Sequence, residues 1–158
     1  MEKRGFGDLE TKIMALAQAA EHGKPLDEIR KLFGAVEMRI DAVSAASPGG
    51  SAERLKALAQ LMREAAEDYG EGVKGGKLSN LHEYQDAWGY WRTVESQAKK
   101  LSQSKEPDVA GAAQKILEQA QGAAEAFGTI QGKGKIKMDP AILFAAAAHM
   151  EIAALAVK

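Results

Sequence analysis

The sequence predicts an all-α fold, an up-and-down helical bundle of four main amphipathic helices with a short N-terminal helix before them and an Ala-rich C-terminal helix after them. Three observations carry this. Apolar residues recur at alternating steps of three and four, the segments are separated by Gly and Pro signals, and no period-2 run of β-branched residues is long enough for a strand.

The elements follow in order. Leu9, Ile13, Leu16 and Ala20 mark the short first helix, which stops at Gly23-Lys24-Pro25. Leu26, Ile29, Phe33, Val36, Ile40 and Val43 form one helical face opened by Pro25. After Ser47-Pro48-Gly49-Gly50 the spacing resumes in Leu55, Leu58, Met62, Ala65, Tyr69 and Val73. Asn80 followed by Glu83 reads as a capping box for a helix with Leu81, Tyr84, Trp88, Trp91, Glu95, Ala98 and Leu101 on one face. Beyond Pro107, a helix carrying Val109, Ala113, Ile116, Ala120, Ala123, Phe127 and Ile130 is expected to run to about Gly132. Asp139-Pro140 then caps the Ala-rich segment 141–157, "AILFAAAAHMEIAALAV". Its many Ala residues, His149 and Glu151 suit a helix buried in a bundle better than a bilayer span, which takes about 20 strongly apolar residues. Short loops make successive helices antiparallel.

At 158 residues the chain is expected to form one domain over residues 1–158, large enough to fold without a metal or disulfide staple. Disorder is expected only at residues 1–7 and in the loop 131–138. Twenty-one basic residues against 22 acidic ones give no polyanion-binding character, so nucleic acid is not an expected partner. The absence of cysteine excludes thiol catalysis, zinc ribbons and iron–sulfur ligation. The opening "MEKRGFGDLE" has no apolar h-region and is not a signal peptide as it stands.

Chemistry concentrates in "REAAEDYGEG". Glu64, Glu67, Asp68 and Glu71 sit at i, i+3, i+4 and i+7 and share one stripe turned away from Leu58, Met62 and Tyr69. Clustered carboxylates suit a hard cation, although one exposed helix face offers no closed cage. The bland reading is a solvated face with an Arg63–Glu67 pair. Tyr69 and Tyr84 lie on core faces at either side of the Gly-rich turn, where they are expected to pack across it with their hydroxyls on polar partners. One carboxylate from each helix, Asp68 and Glu83, plus phenolic oxygens would make an acceptable site for a ferric or similar ion.

Other motifs read as structural. Gly70-x-Gly72-x-x-Gly75 matches the dinucleotide fingerprint in form, but a helix runs into it where a strand is needed, so it reads as a helix stop. Trp88, Tyr90 and Trp91 suit core packing, and no axial ligand pair accompanies them for haem. Gly89, toward the opposite face, would permit close helix contact. His149 reads as a core histidine, His22 as a helix-end cation and His82 as an outward-facing residue of a first turn. Lys133, Lys135 and Lys137 form a small basic loop. No serine sits in a strand-turn-helix elbow, and facing Glu-x-x-His pairs for a di-metal enzyme are absent.

Two stretches carry a family resemblance. Arg63-Glu64-Ala65-Ala66-Glu67 fits Arg-Glu-x-x-Glu, a pattern that resembles the iron-contacting motif of high-affinity iron permeases. Residues 67–91, "EDYGEGVKGGKLSNLHEYQDAWGYW", are similar to a segment of the extracytoplasmic helical extension attached to some bacterial iron permeases: Asp68-Tyr69, Val73, the Gly76-Lys77 turn, Glu83-Tyr84 opening the next helix, and Trp88 near its second turn. Gly70 departs from the Pro often found there. The resemblance implies a non-enzymatic, periplasmic domain that binds or delivers metal ions, most of all iron, for a membrane permease. It names no organic cofactor. The ligand set it points to is Glu64, Glu67, Asp68 and Glu83, with Tyr69 and Tyr84 as phenolate or supporting partners. The alternative is a metal-free structural or interaction bundle, cytoplasmic if the resemblance does not hold, whose last helix and Trp-rich helix meet a protein partner or a second copy of the chain.

Overall fold

The computed structural model of the chain describes residues 6–46 and 49–157. The elements are α1 (Phe6–Glu21), α2 (Leu26–Ala46), α3 (Ser51–Gly72), β1 (Val73–Lys74), β2 (Lys77–Leu78), α4 (Leu81–Leu101), α5 (Pro107–Gly122), a 3-10 turn (Ala123–Ala126) and α6 (Ala141–Leu155). The expectation of disorder at residues 1–5 lies outside the described residues; Phe6 and Gly7 open α1. Two compact units are present, Met1–Pro48 and Gly49–Lys158.

The first unit is the helix pair α1 and α2. Gly23 takes a left-handed φ of 61° after α1, and the Lys24 amide bonds back to the Ala19 carbonyl at 3.0 Å, so the chain reverses at once. Ala19 and Val36 are buried between the helices, and Arg39 on α2 pairs with Asp8 on α1 at 3.1 Å.

The second unit is a four-helix bundle. α3 packs against α4 and α6, and α5 packs against the same two, so α3 and α5 sit diagonally. Its core is built from Leu55, Met62, Tyr69, Tyr84, Val94, Val109, Ile116, Leu143 and Met150, with Ala65, Ala66, Ala87, Ala98, Ala113, Ala120 and Ala147 between them. Alanines at the contact lines let helix axes approach closely.

All-α architecture is therefore as expected, but the membership of the bundle differs. The fourth helix is α6, not α2, which pairs with α1. Apart from His149 and Glu151, α6 is apolar all round, so its spacing shows no face, and its burial of Leu143, Ala146, Ala147, Met150, Ala153 and Ala154 is not legible from period. In α4 the buried line is Tyr84, Ala87, Trp91, Val94, Ala98 and Leu101. Trp88 is only half-buried, and Glu95 pairs with Arg92 outside the core. α5 ends at Gly122 and a 3-10 turn follows, not a helix to residue 130. That tightening swings Phe127 into the core. The segment 131–138 takes a hydrogen-bonded course: Thr129 N–H donates to the Lys133 carbonyl at 2.9 Å, and Lys137 bonds the Glu125 carbonyl at 2.9 Å and its carboxylate at 2.6 Å.

The α3–α4 connection carries two short strands that the sequence pattern did not show. Val73 pairs with Leu78 and Lys74 with Lys77, antiparallel, around Gly75 and Gly76 at φ 60° and 72°. Two successive positive-φ glycines make the primed two-residue turn whose twist matches a hairpin. The Gly-rich stretch is thus a hairpin turn placed after the helix stop.

Candidate metal centre

The hairpin sets α3 and α4 side by side with little freedom. The Gly72 carbonyl, last in α3, accepts from the amides of Ser79 (2.8 Å) and Asn80 (3.1 Å) and from the Ser79 hydroxyl (3.1 Å). A side chain at Gly72 would place its Cβ 2.7 Å from the Tyr84 nitrogen. Backbone therefore lies directly on backbone here. Asn80 caps α4 by accepting from the His82 amide at 3.1 Å. Because the Asn80 amide is already bonded to Gly72, the reciprocal half of the expected capping box is not made, and Glu83 is free to point elsewhere.

It points at Asp68. Asp68 on α3 and Glu83 and Asp86 on α4 each bring a carboxylate oxygen within 4.8 Å of the other two. Glu83 and Asp86 are three residues apart, one turn of α4, and so stack on the face opposite Asp68. His82 is not among the convergent groups; it lies exposed beside them, with Nδ1 3.3 Å from Asp86 Oδ2. Burial raises the Asp68 carboxyl above its ordinary range, and the negative charges of Glu83, Asp86, Glu64 and Glu67 raise it further. Three convergent carboxylates under mutual repulsion are an arrangement that a cation relieves. Oxygen-only donors on an open seam fit a hard ion, with water completing its shell.

The sign of the pH effect follows from that shift. The folded state holds the Asp68 proton more tightly than the unfolded state, so its contribution to stability is present at low pH and is lost as pH rises through the raised folded value. At neutral pH without metal, Asp68→Asn is expected to raise the melting temperature by about 1–3 °C. Calorimetry of the metal-free protein checks this; a lower melting temperature would show that the repulsion is not felt.

The other sequence candidates are placed differently. Glu64 and Glu67 are exposed, and Glu64 accepts from Gln60 at 2.8 Å. They contribute charge around the cluster and are not among the three convergent carboxylates. Arg63 does not pair with Glu67; it reaches across to Glu151 on α6, with Nε 2.7 Å from Oε1. Glu71 is exposed and held below the usual carboxylate range by its hydrogen bond to Lys74.

Tyr69 and Tyr84 lie beneath the carboxylates in the core. The Tyr69 hydroxyl donates to the Ala126 carbonyl. The Tyr84 hydroxyl accepts from the Gly128 amide at 3.0 Å and donates to the Thr129 carbonyl at 3.2 Å. Burial raises both phenols above the ordinary tyrosine value, so neither is an available phenolate. Their rings, 5.9 Å apart, meet Phe127 at 5.1 and 5.8 Å, and Phe127 stacks on Trp91 at 4.8 Å. The Trp91 indole donates to the Ala120 carbonyl at 2.7 Å. This aromatic group ties the 3-10 turn to α3 and α4 and fixes the floor on which the carboxylates stand. Tyr84→Phe is expected to cost about 0.5–1.5 kcal/mol in urea unfolding, because a part-buried amide and carbonyl lose their partner. Cation affinity is expected to stay within about twofold, since the hydroxyl is bonded to Gly128 and Thr129 and not to the carboxylates, which separates a packing tyrosine from a ligand.

Asp86 is the member that spacing alone did not reveal. A signal was present: Glu83 and Asp86 at i and i+3 on the helix facing Asp68. His149 is exposed, not buried, and its Nδ1 lies 3.1 Å from Gln119 Oε1. Gly89 has nothing within 4 Å of a would-be Cβ, so it mediates no close contact in the chain. Among the described residues, no helix is long and apolar enough to cross a membrane.

No curated protein and no solved structure matches the chain. A family model does, that of the iron permease-associated 4-helix bundle domain, over residues 44–154. The matched stretch covers most of the chain and runs from before α3 into the last turn of α6, hairpin and carboxylate cluster included. By that match, the chain belongs to the family of iron permease-associated 4-helix bundle domains.

Proposed function

We propose that the domain is a non-enzymatic, extracytoplasmic module that binds iron at Asp68, Glu83 and Asp86 and passes it to a membrane permease. The observation that carries the reading is the convergence of three carboxylates from two helices within 4.8 Å. Family membership supplies the association with iron permeases; the donor chemistry supplies the preference for a hard cation. Three protein oxygens on an open seam leave much of an ion's shell to water, which favours exchange over storage. Glu64 and Glu67 lie along the same side of α3 and raise the local concentration of cations without ligating them.

Titration of the purified protein with Fe(II) under anaerobic conditions and with Fe(III), reading bound metal by mass spectrometry, tests this. One saturable site is expected, with affinity falling as pH is lowered through the raised Asp68 value, since proton and metal compete for that carboxylate. Binding that persists unchanged when Asp68 and Glu83 are both converted to amides would refute the assignment.

A second reading rests on α6, where Phe144, Ile152 and Leu155 are exposed, the last two by 68% and 71%. This outward apolar side supports docking of a protein partner such as the permease itself. It is compatible with metal transfer, and alone it would describe a metal-free interaction domain.

A further inference from the structure

We infer that the α1–α2 helix pair is a self-association element through which two copies of the chain join, α2 running antiparallel against the partner copy's α2. The inference concerns residues 26–43, outside the stretch matched by the family, and goes beyond the metal-handling reading.

The helix pair leaves its apolar seam half covered. Of the α2 seam, Val36 is buried against α1, whereas Leu26, Phe33 and Ile40 are exposed by 59%, 52% and 41%. Those three are spaced seven residues apart, the period of one coiled-coil position. On α1, Ile13 and Met14 are likewise exposed by 46% and 55%. In a four-helix bundle each helix packs on two neighbours, and here one neighbour covers only half of the seam.

Two features point to a second copy as the occupant. First, Leu26, Ile29, Phe33, Val36, Ile40 and Val43 are separated by steps of three, four, three, four and three, a series that reads the same in both directions. Antiparallel pairing of its exposed members about Phe33 sets Leu26 opposite Ile40 and Phe33 opposite its own counterpart, so each exposed apolar residue meets an apolar one while Val36 stays against α1. Second, the flanking charges match. Arg39 flanks the seam on the side that meets α1, where it pairs with Asp8. Arg30 and Glu37 flank the other side, and the same antiparallel pairing brings Arg30 of one copy near Glu37 of the other, twice by the two-fold symmetry. A self-complementary seam with a self-complementary charge pair is the pattern of an isologous interface.

Sedimentation equilibrium of the full chain over a wide dilution range tests the inference. A reversible dimer is expected. Phe33→Glu is expected to weaken it by more than about a hundredfold, and Glu37→Arg by about tenfold. Combining Arg30→Glu with Glu37→Arg restores it, since the swap re-forms the pair. Trp88 and Trp91 both lie in the other unit, so their fluorescence reports whether that bundle stays folded in each variant. A chain that remains monomeric at every concentration overturns the inference, as does a dimer that responds equally to the single and the paired charge substitutions.

Discussion

Gly72→Ala is expected to destabilise the protein by about 2–3 kcal/mol, against the usual gain of up to about 1 kcal/mol when a helical glycine becomes alanine. Its new methyl would sit 2.7 Å from the Tyr84 nitrogen, 3.0 Å from the Tyr84 Cα and 3.2 Å from the Asn80 carbonyl oxygen. All three are backbone atoms, so no rotamer change relieves the clash; α3 and the start of α4 must part. Parting them strains the Gly72 carbonyl's bonds to Ser79 and Asn80 and opens the Tyr69–Tyr84 contact. Gly70 is the internal control, because a methyl there meets only the Pro140 Cβ, at 4.0 Å. Gly70→Ala is therefore expected to leave stability unchanged or improved. Urea unfolding of the two variants checks both. Equal small effects would show that the helices have room to move apart.

The largest functional effect is expected from Asp86→Asn. The amide is nearly the same size and leaves α4 intact, yet it removes one of three anionic donors and weakens the pull on the cation from the whole cluster. A loss of about 10–100-fold in iron affinity is expected, as it is for Asp68→Asn, whose metal-free stability rises. Opposite signs for stability and binding are what a site under internal repulsion produces. The contrast with the exposed stripe is direct: Glu64→Gln and Glu67→Gln are expected to change affinity by less than about threefold at physiological salt, since screened charges act weakly at a distance. If Glu67→Gln were the damaging variant and Asp86→Asn silent, iron would be held by one helix face, in the manner the Arg-Glu-x-x-Glu motif implies.

The helices were legible in the sequence because amphipathic spacing and Gly or Pro breaks are local signals. What packs on what was less so. α2 has the cleaner apolar stripe, yet the bundle takes α6, whose all-round apolar surface carries no direction. The hairpin between α3 and α4 escaped because two-residue strands show no alternation, although Gly75-Gly76 is a turn signal for them. At the candidate site, the approach of Asp68 to Glu83 is legible from their positions on either side of the turn between the two helices. Asp86 is not legible there, because its approach depends on the rotation of α4, whose apolar spacing suggests Trp88 inward and which the fold sets with Ala87 inward. The tyrosines' packing role could be read from their positions on core faces. That their hydroxyls are consumed by Ala126, Gly128 and Thr129 could not, since those partners come from a turn where a continuing helix was expected.

Anomalous X-ray scattering at the iron edge, from crystals of the protein grown with iron, tests the assignment of Asp68, Glu83 and Asp86 as iron ligands. One strong peak is expected at coordinating distance from carboxylate oxygens of Asp68, Glu83 and Asp86, with the Tyr69 and Tyr84 hydroxyls still bonded to backbone. A peak on Glu64 and Glu67, or none on the α3–α4 seam, would contradict it.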